Sequence, residues 1–262
     1  MLILIARDYE EMSRRAAAIV ASRIERKPDT VLGLPTGGTP VGLYREIVRL
    51  SSEGLDLSGI TTFNLDEYVG LASDHPQSFH RFMNVNLFDH VSVAPERTHI
   101  PAGLPTTDLE ARCEAYESAI ADAGGIDLQI LGIGRDGHIG FNEPGSSLQS
   151  RTRVKTLAPE TFRDNARYFD DGHQPVCAIT MGIGTILDAR NILMLASGVP
   201  KAEAVAMAVE GPLTASCPAS ALQWHPQVTF LIDEDAAGAL SRLDYYRHVM
   251  KTTEGMTPSR SE

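Results

Sequence analysis

The sequence has few cysteines, few basic side chains and no long hydrophobic run. Its three cysteines lie far apart without a C-x-x-C pair, which argues against a disulfide framework and favours a reducing interior. The 23 Lys and Arg residues are outnumbered by 34 Asp and Glu residues, giving a net charge of −11. A nucleic-acid partner normally requires a basic face. "MLILIA" ends too soon for a signal peptide, and no window approaches a membrane span. We therefore expect a cytoplasmic protein without nucleic-acid or membrane partners, although a small anionic ligand stays compatible with this charge.

The composition, with 43% hydrophobic and 22% charged residues, is typical of a protein with a substantial core. Short apolar runs alternate with helical periodicity along the chain, as in parallel strands covered by helices. The predicted strands are "LILIA", "TVLGLP", "GITTFNLDEYVG", "DLQILGIG", "PVCAITMG", "NILMLA" and "VTFLID". This order predicts one α/β domain over residues 1–250, with a single doubly wound, mostly parallel sheet and helices on both faces (Rossmann-like). Residues 251–262 lack apolar periodicity, which predicts a disordered tail.

In such folds, ligands bind beyond the carboxyl ends of the strands. The segment "LPTGGTPVGLY" places Thr36, Gly37, Gly38 and Thr39 at the start of a helix, where glycines and free N–H groups attract phosphates. A tight turn capped by threonine fits the same residues equally well, and the Walker spacing and its lysine are absent. Lys201 lies in the first turn of a later helix, where a cation opposes the helix dipole. A bound anion would explain this lysine, and so would simple solvation.

The segment "GIGRDGHIGFNEPGSS", residues 132–147, allows three interpretations. It matches G-x-G-x-x-G, but glycines and a proline follow where a dinucleotide site requires a helix, so we reject NAD. A metal is the second option, yet zinc usually takes at least two His or Cys ligands. A carboxylate-rich magnesium or manganese site with Asp136, His138 and Glu143 is a minor alternative. The third option is proton transfer, because a histidine flanked by two acids can exchange protons near neutral pH.

A further carboxylate pair, Asp66 and Glu67, follows another predicted strand in "TFNLDEYVG". Acids that are buried at such a position have shifted proton affinities and are candidates for catalysis. Asp66 taken alone also fits the cap of a helix or turn.

Together these segments resemble the glucosamine-6-phosphate deaminase family, also called glucosamine-6-phosphate isomerases. The resemblance is carried by "LGLPTGGTP", "TFNLDEYVGL", "HPQSFHRFM", "GIGRDGHIGFNEPGSSLQSRTR", "TMGIGTILDA" and "SGVPKAEAV". It implies an enzyme that converts D-glucosamine 6-phosphate and water to D-fructose 6-phosphate and ammonia, without a metal or organic cofactor. Its partner would be a small amino sugar phosphate, and the domain over residues 1–250 would be catalytic.

The resemblance also implies roles for individual residues. Asp66 would move a proton between carbon 2 and carbon 1, and His138 would open the pyranose ring. Asp136 and Glu143 would orient and charge that histidine. The implied phosphate ligands are Thr36, Gly37, Gly38, Thr39, Arg167 and Lys201.

The stretch "GSSLQSRTRVKT" resembles the segment that binds N-acetylglucosamine 6-phosphate in hexameric, allosteric family members. Ser146, Arg153 and Lys155 would be the matching contacts for this candidate activator, and the chain would then be a homo-oligomer, a hexamer if allosteric. A basic patch on a surface or a subunit contact is the alternative.

Two other functions stay open. The 6-phosphogluconolactonases resemble the same core, but there the motif usually continues into a Ser-Leu-Phe-Pro-like run, whereas here it continues "IGFNEP". A non-enzymatic sugar-phosphate sensor should have lost a proton-handling group and should carry a DNA-binding segment. Neither departure is present in the sequence, so we rank both functions below the deaminase.

Overall fold

Strands and helices alternate through most of the chain. The computed structural model describes residues 1–157, 169 and 174–256. The strands are β1 (Leu2–Ala6), β2 (Val31–Leu34), β3 (Thr61–Asn64), β4 (Asp66–Tyr68), β5 (Thr98–His99), β6 (Leu128–Gly132), β7 (Arg153–Thr156), β8 (Cys177–Thr180), β9 (Ile192–Ala196) and β10 (Val228–Asp233). The helices are α1 (Tyr9–Arg26), α2 (Val41–Ser52), α3 (Phe79–Asn86), α4 (Leu109–Asp122), α5 (Ile183–Leu187), α6 (Ala202–Glu210) and α7 (Leu243–Met256).

Seven strands form the main sheet in the order β1-β10-β9-β6-β2-β3-β5. Every pair in it is parallel. Strands β2 and β9 are buried along their whole length, as expected when both faces of a parallel sheet are covered. The predicted α/β fold with a mostly parallel sheet is therefore confirmed.

The two faces of this sheet pack into separate hydrophobic clusters. One cluster joins α1 and α2 to the sheet and includes Met12, Val20 and Leu43. The other includes α6, through Val205 and Ala208. The apolar residues of α1 recur every three or four positions, so one side of the helix reaches the core while Arg14 and Glu25 stay on the other.

A second, antiparallel sheet has the strand order β4-β8-β7. The sequence predicts the run "PVCAITMG" as a strand, and it forms β8, but in this small sheet rather than in the main one. The run "GITTFNLDEYVG" is divided between β3 and β4, so it contributes to both sheets. An apolar run predicts a buried strand but not its pairing partner, so the sequence predicts one sheet where the structure has two.

The end of the chain departs from prediction. Helix α7 continues to Met256, so the expected tail over residues 251–262 is wrong for its first six residues. The helix is held by earlier residues: Tyr246 and Met250 pack against the core, and the Met250 Sδ lies 3.3 Å from the Ile5 amide nitrogen. Residues 257–262 lie outside the described residues. Of the helices within residues 1–157 and 174–256, none combines the length and apolar character that crossing a bilayer requires.

Candidate active site

A cleft of about 1010 Å³ lies beyond the carboxyl ends of four neighbouring strands of the main sheet. Strand β2 leads into residues 35–39, β3 into Leu65 and Asp66, β6 into residues 133–138, and β9 into the turn that carries Lys201. The chain winds outward in opposite directions from β2 and β6, which are adjacent. The cleft therefore occupies the topological switch point, where α/β sheets bind their ligands.

His138 lies between two carboxylates. Its Nδ1 atom is 2.7 Å from Asp136 Oδ1 and 3.4 Å from Glu143 Oε2, and its backbone N–H also donates to Asp136 Oδ1 at 3.1 Å. Burial favours the neutral ring, but hydrogen bonding and the charges of both acids outweigh it and raise the pKa of His138 to about 9. Burial also opposes the charge on Asp136, yet His138 holds the pKa of this carboxyl below its ordinary value. The cluster can therefore carry a proton on the ring at neutral pH.

A tight loop places this ring over backbone. Gly134 N–H donates to the carbonyl oxygen of His138 at 2.9 Å, and Gly137 N–H donates to that of Gly134 at 3.1 Å. A Cβ added at Gly134 would lie 2.3 Å from two atoms of the His138 ring. The glycine thus leaves the space that the imidazole occupies, and a larger residue would push the ring out of the cluster.

Asp66 stands at the start of β4, opposite Thr180 of β8, and only 6% of the residue is exposed. Its Oδ2 atom lies 3.4 Å from the position that a Cβ would take on Gly140, two residues beyond His138. Burial raises the pKa of Asp66 to about 8, the negative charge of Glu67 acts in the same direction, and His138 opposes them. A carboxyl with this pKa can accept and return a proton near neutral pH.

The neighbouring acid, Glu67, has a different environment. Its carboxylate accepts N–H groups from Tyr68, Phe79 and His80 at 2.8 to 3.0 Å, and His80 Nδ1 lies 2.9 Å from Glu67 Oε2. Two of these amides open α3, where the helix dipole favours a negative charge. Glu67 therefore anchors α3 against the strand that carries Asp66.

Another part of the cleft lining is suited to an anion. Thr36, Gly37, Gly38 and Thr39 line the cleft just before α2, and a Cβ added at either glycine would meet no other atom of the described residues within 4 Å. Lys201 also lines the cleft, with its Nζ donating to the carbonyl oxygen of Ile133 at 2.6 Å. Burial lowers the pKa of Lys201, the charge of Arg135 acts in the same way, and Asp136 opposes.

The structure thus brings most of the sequence-predicted site residues into one place. Those that line the cleft are Thr36, Gly37, Gly38, Thr39, Asp66, Asp136, His138 and Lys201. Glu143 is buried behind His138. Arg167 lies outside the described residues, so its predicted contact with phosphate stays a prediction.

The residues predicted to hold an activator are not part of this cleft lining. Ser146 is 3% exposed, and Arg153 and Lys155 lie on β7 of the small sheet, where alternate residues share a face. Arg153 donates to Asn142 Oδ1 at 2.9 Å. The neighbouring Arg151 is paired with Glu117 and Asp188, at 2.6 Å in both cases.

Sequence reasoning missed an aromatic wall in the cleft, formed by Tyr68, Phe79, Phe141 and Phe169. The ring of Tyr68 lies 4.8 Å from Phe79 and 5.6 Å from Phe141, measured between centroids. Tyr68, Phe79 and Phe141 lie in three different segments among those that carry the resemblance, so only the fold brings their rings together. The wall gives the cleft an apolar side, and Tyr68 stands on the same strand as Asp66.

Asp136, His138 and Glu143 could also be read as metal ligands, since one ligand atom from each lies within 4.8 Å of the others. The set offers one nitrogen and two carboxylates, fewer soft ligands than zinc enzymes usually provide. The ring nitrogen that faces both acids is the same Nδ1 atom. This arrangement matches a histidine oriented by carboxylates without requiring an ion between them.

The fold and the cleft define a class: an α/β protein with a glycine-rich loop suited to an anion and a His–carboxylate cluster at one sheet edge. Residues 7–231 match the model of the glucosamine-6-phosphate isomerases/6-phosphogluconolactonase family. Glucosamine-6-phosphate deaminase of Shewanella loihica is 53% identical over 251 residues, 95% of this chain and 93% of its own. That of Hahella chejuensis is 54% identical over 255 residues, 97% of both chains. The chain belongs to the glucosamine-6-phosphate isomerases/6-phosphogluconolactonase family.

Solved structures agree with this assignment. A monomeric glucosamine-6-phosphate deaminase superposes with a TM-score of 0.88 at 51% identity, covering 91% of this chain and all of that chain. The 6-phosphogluconolactonase from Trypanosoma brucei has a TM-score of 0.72 at 22% identity, covering 92% of this chain and 98% of its own. The second comparison shows a shared fold only.

Proposed function

We propose that this protein is a glucosamine-6-phosphate deaminase, which converts D-glucosamine 6-phosphate and water to D-fructose 6-phosphate and ammonia. The observation that carries the proposal is the placement of Asp66 and the His138 cluster in one cleft with an anion-binding loop. The relatives above 50% identity that bear this name support the same reaction.

The phosphate of the substrate would bind at the glycine-rich loop. The N–H groups and hydroxyls of Thr36 to Thr39 would donate to its oxygens at the start of α2, where the helix dipole is favourable. Lys201 would add a positive charge from the adjacent turn. Arg167 is proposed as a further ligand by family resemblance alone.

Ring opening would be the task of His138. In the cyclic sugar, the proton of the anomeric hydroxyl must leave and a proton must reach the ring oxygen. A histidine oriented by Asp136 and Glu143 can make both transfers, because its carboxylate partners fix the ring and stabilise its protonated form.

Proton transfer between carbons would be the task of Asp66. The carboxylate removes the proton from carbon 2 of the open-chain aldehyde, giving an enolamine, and returns a proton to carbon 1. The product is an imine at carbon 2, and addition of water releases ammonia and leaves the ketone of fructose 6-phosphate. The burial of Asp66 in the cleft that the aromatic wall lines would keep this base partly desolvated and close to carbons 1 and 2 of the sugar.

An ammonia-release assay tests the proposal directly. The purified protein should release ammonia from glucosamine 6-phosphate, and galactosamine 6-phosphate run in parallel measures its preference for the configuration at carbon 4. Hydrolysis of 6-phosphogluconolactone should stay at the background rate. Lactone hydrolysis without ammonia release would contradict the deaminase and support the lactonase.

Replacing Asp66 with Asn tests the role of this base. The variant should lose turnover and solvent deuterium incorporation into the product, while the affinity for substrate stays within about threefold. Asp56→Asn is the matched control, because it makes the same chemical change at an exposed position outside the cleft. Normal turnover by Asp66→Asn would refute the assignment of the base.

We also propose that N-acetylglucosamine 6-phosphate can bind near Ser146, Arg153 and Lys155. The hydrogen bond from Arg153 to Asn142 would connect this activator site to the cleft. The Asn142 side chain also donates to the carbonyl oxygen of Ile139, the residue next to His138. Sigmoidal rates that become hyperbolic with this compound, in a hexamer by sedimentation, would support regulation. Hyperbolic rates that the compound does not change would contradict this regulation. One similar solved structure is described as a monomeric deaminase, so the oligomeric state has to be measured.

We also propose a cytoplasmic location, which the three free cysteines support.

A further inference from the structure

Two tyrosine hydroxyls from different helices hold the backbone of the glycine-rich loop over residues 35–39, the phosphate loop of the proposed function. The hydroxyl of Tyr9, the first residue of α1, donates to the carbonyl oxygen of Thr39 at 3.1 Å. The carbonyl oxygen of Gly38 is a second acceptor for the same hydroxyl, at 3.3 Å. The same hydroxyl accepts the N–H of Gly42 at 2.7 Å. At the other end of the loop, the buried Tyr44 donates to the carbonyl oxygen of Pro35.

The contact of Tyr9 depends on the absence of a side chain at position 42. A Cβ added at Gly42 would lie 2.9 Å from the Tyr9 hydroxyl oxygen and 2.3 Å from Ser13 Oγ. Helices α1 and α2 therefore approach closely at this point, and the hydroxyl reaches the start of α2 through the gap. Within the part of the chain that the structure describes, the three backbone atoms that hydrogen-bond to this hydroxyl belong to the phosphate loop or to the first turn of α2.

We propose that Tyr9 is a positioning residue that orders the 36–39 loop before phosphate binds; this inference rests on the proposed function, which supplies phosphate as the ligand. A loop with two adjacent glycines is costly to order, because glycine loses more backbone freedom than any other residue. Contacts that order it during folding leave less entropy to be lost on binding. Tyr9 meets backbone atoms of the loop, so it acts on the affinity for phosphate and not on the proton transfers at Asp66 and His138.

The test is Tyr9→Phe in the full-length protein, which removes the hydroxyl and keeps the ring. We expect KM for glucosamine 6-phosphate and the inhibition constant of inorganic phosphate to rise about three- to tenfold, the range for one or two lost neutral hydrogen bonds. The kcat should change by less than about twofold. Gly42→Ala should raise the same two constants, because the added methyl group would lie 2.9 Å from the Tyr9 hydroxyl oxygen, and it should also lower the melting temperature, because it would lie 2.3 Å from Ser13 Oγ.

Thr30→Val is the matched control. Thr30 is buried just before β2, at the end of the strand opposite the loop, and its hydroxyl donates to the carbonyl oxygen of Lys27. This variant should lower the melting temperature and leave KM and phosphate inhibition unchanged. A purely structural role of Tyr9 would instead make Tyr9→Phe behave like Thr30→Val.

The outcomes separate this inference from the proposed function. Unchanged KM and phosphate inhibition in Tyr9→Phe, with ammonia release by the wild type, would overturn the inference and leave the function intact. A loss confined to kcat would also overturn it. If the wild type releases no ammonia, the proposed function fails, and direct titration of both proteins with inorganic phosphate still decides whether Tyr9 orders the loop: equal affinities would overturn it, and a weaker variant would support it.

Discussion

Asp66→Asn should stabilise the folded protein while it abolishes the reaction, and the gain should depend on pH. Burial, and then the charge of Glu67, raise the pKa of Asp66 from its ordinary 3.8 to about 8, against the opposing charge of His138. Between pH 3.8 and about pH 8, the folded protein therefore retains a proton on Asp66 that the unfolded chain has released. The stability due to this group is therefore complete below about pH 3.8, decreases as the pH rises, and is lost once the pH passes about 8.

The size of the effect follows from the same shift. Each pH unit within this interval lowers the free energy of unfolding of the wild type by about 1.4 kcal/mol relative to a variant that cannot ionise. From pH 5 to pH 7 the advantage of Asp66→Asn should thus grow by about 3 kcal/mol. For a chain of this size that equals a gain in melting temperature of roughly 6 to 12 °C. Above about pH 8 the advantage should level off.

Urea unfolding of the wild type and Asp66→Asn at pH 5, 6, 7 and 8 measures this difference, with Asp56→Asn as the control. Other groups titrate in both proteins, so their contributions largely cancel in the comparison. The pKa of Asp56 is lowered, chiefly by the backbone N–H of Ser58, so its replacement should give no such growing gain. A stability difference that stays constant from pH 5 to pH 8 would refute the assignment of a proton to Asp66 at neutral pH.

The pH dependence of catalysis, the role of His138 and the metal alternative can each be tested separately. Because Asp66 must be ionised to act as a base, kcat/KM should rise nearly tenfold between pH 6 and pH 7 and level off above about pH 8; a flat profile in stopped assays over this range would exclude it as the base. His138→Gln should slow turnover most on the closed pyranose, and equal slowing on an open-chain substrate analogue would argue against ring opening. Dialysis against a chelator should leave ammonia release unchanged, and a loss restored by one metal ion would support a metal site at Asp136, His138 and Glu143.

Much of the fold could be predicted because each signal is local. Apolar runs such as "ILMLA" and "VLGL" are strands by length and composition alone, and the glycine-rich turns after them predict where the cleft lies. The small sheet was not predicted, because the pairing of Asp66 with Thr180 joins residues 114 positions apart. The contact of Tyr9 with the phosphate loop was not predicted either, because it joins residues 30 positions apart. In the sequence, a tyrosine at the start of a helix cannot be distinguished from any other amphipathic surface residue.

The neighbouring acids Asp66 and Glu67 show why residue type does not determine chemistry. Successive residues of a strand point to opposite faces, so β4 directs one carboxylate into the cleft and the other toward α3. Glu67 receives three backbone N–H groups, which stabilise its charge, and that charge then raises the proton affinity of Asp66. The sequence "DE" alone does not say which acid is the anchor and which is the base. The distinction arises only when α3 begins against one face of β4, so the anchor and the proposed base are products of a single packing arrangement.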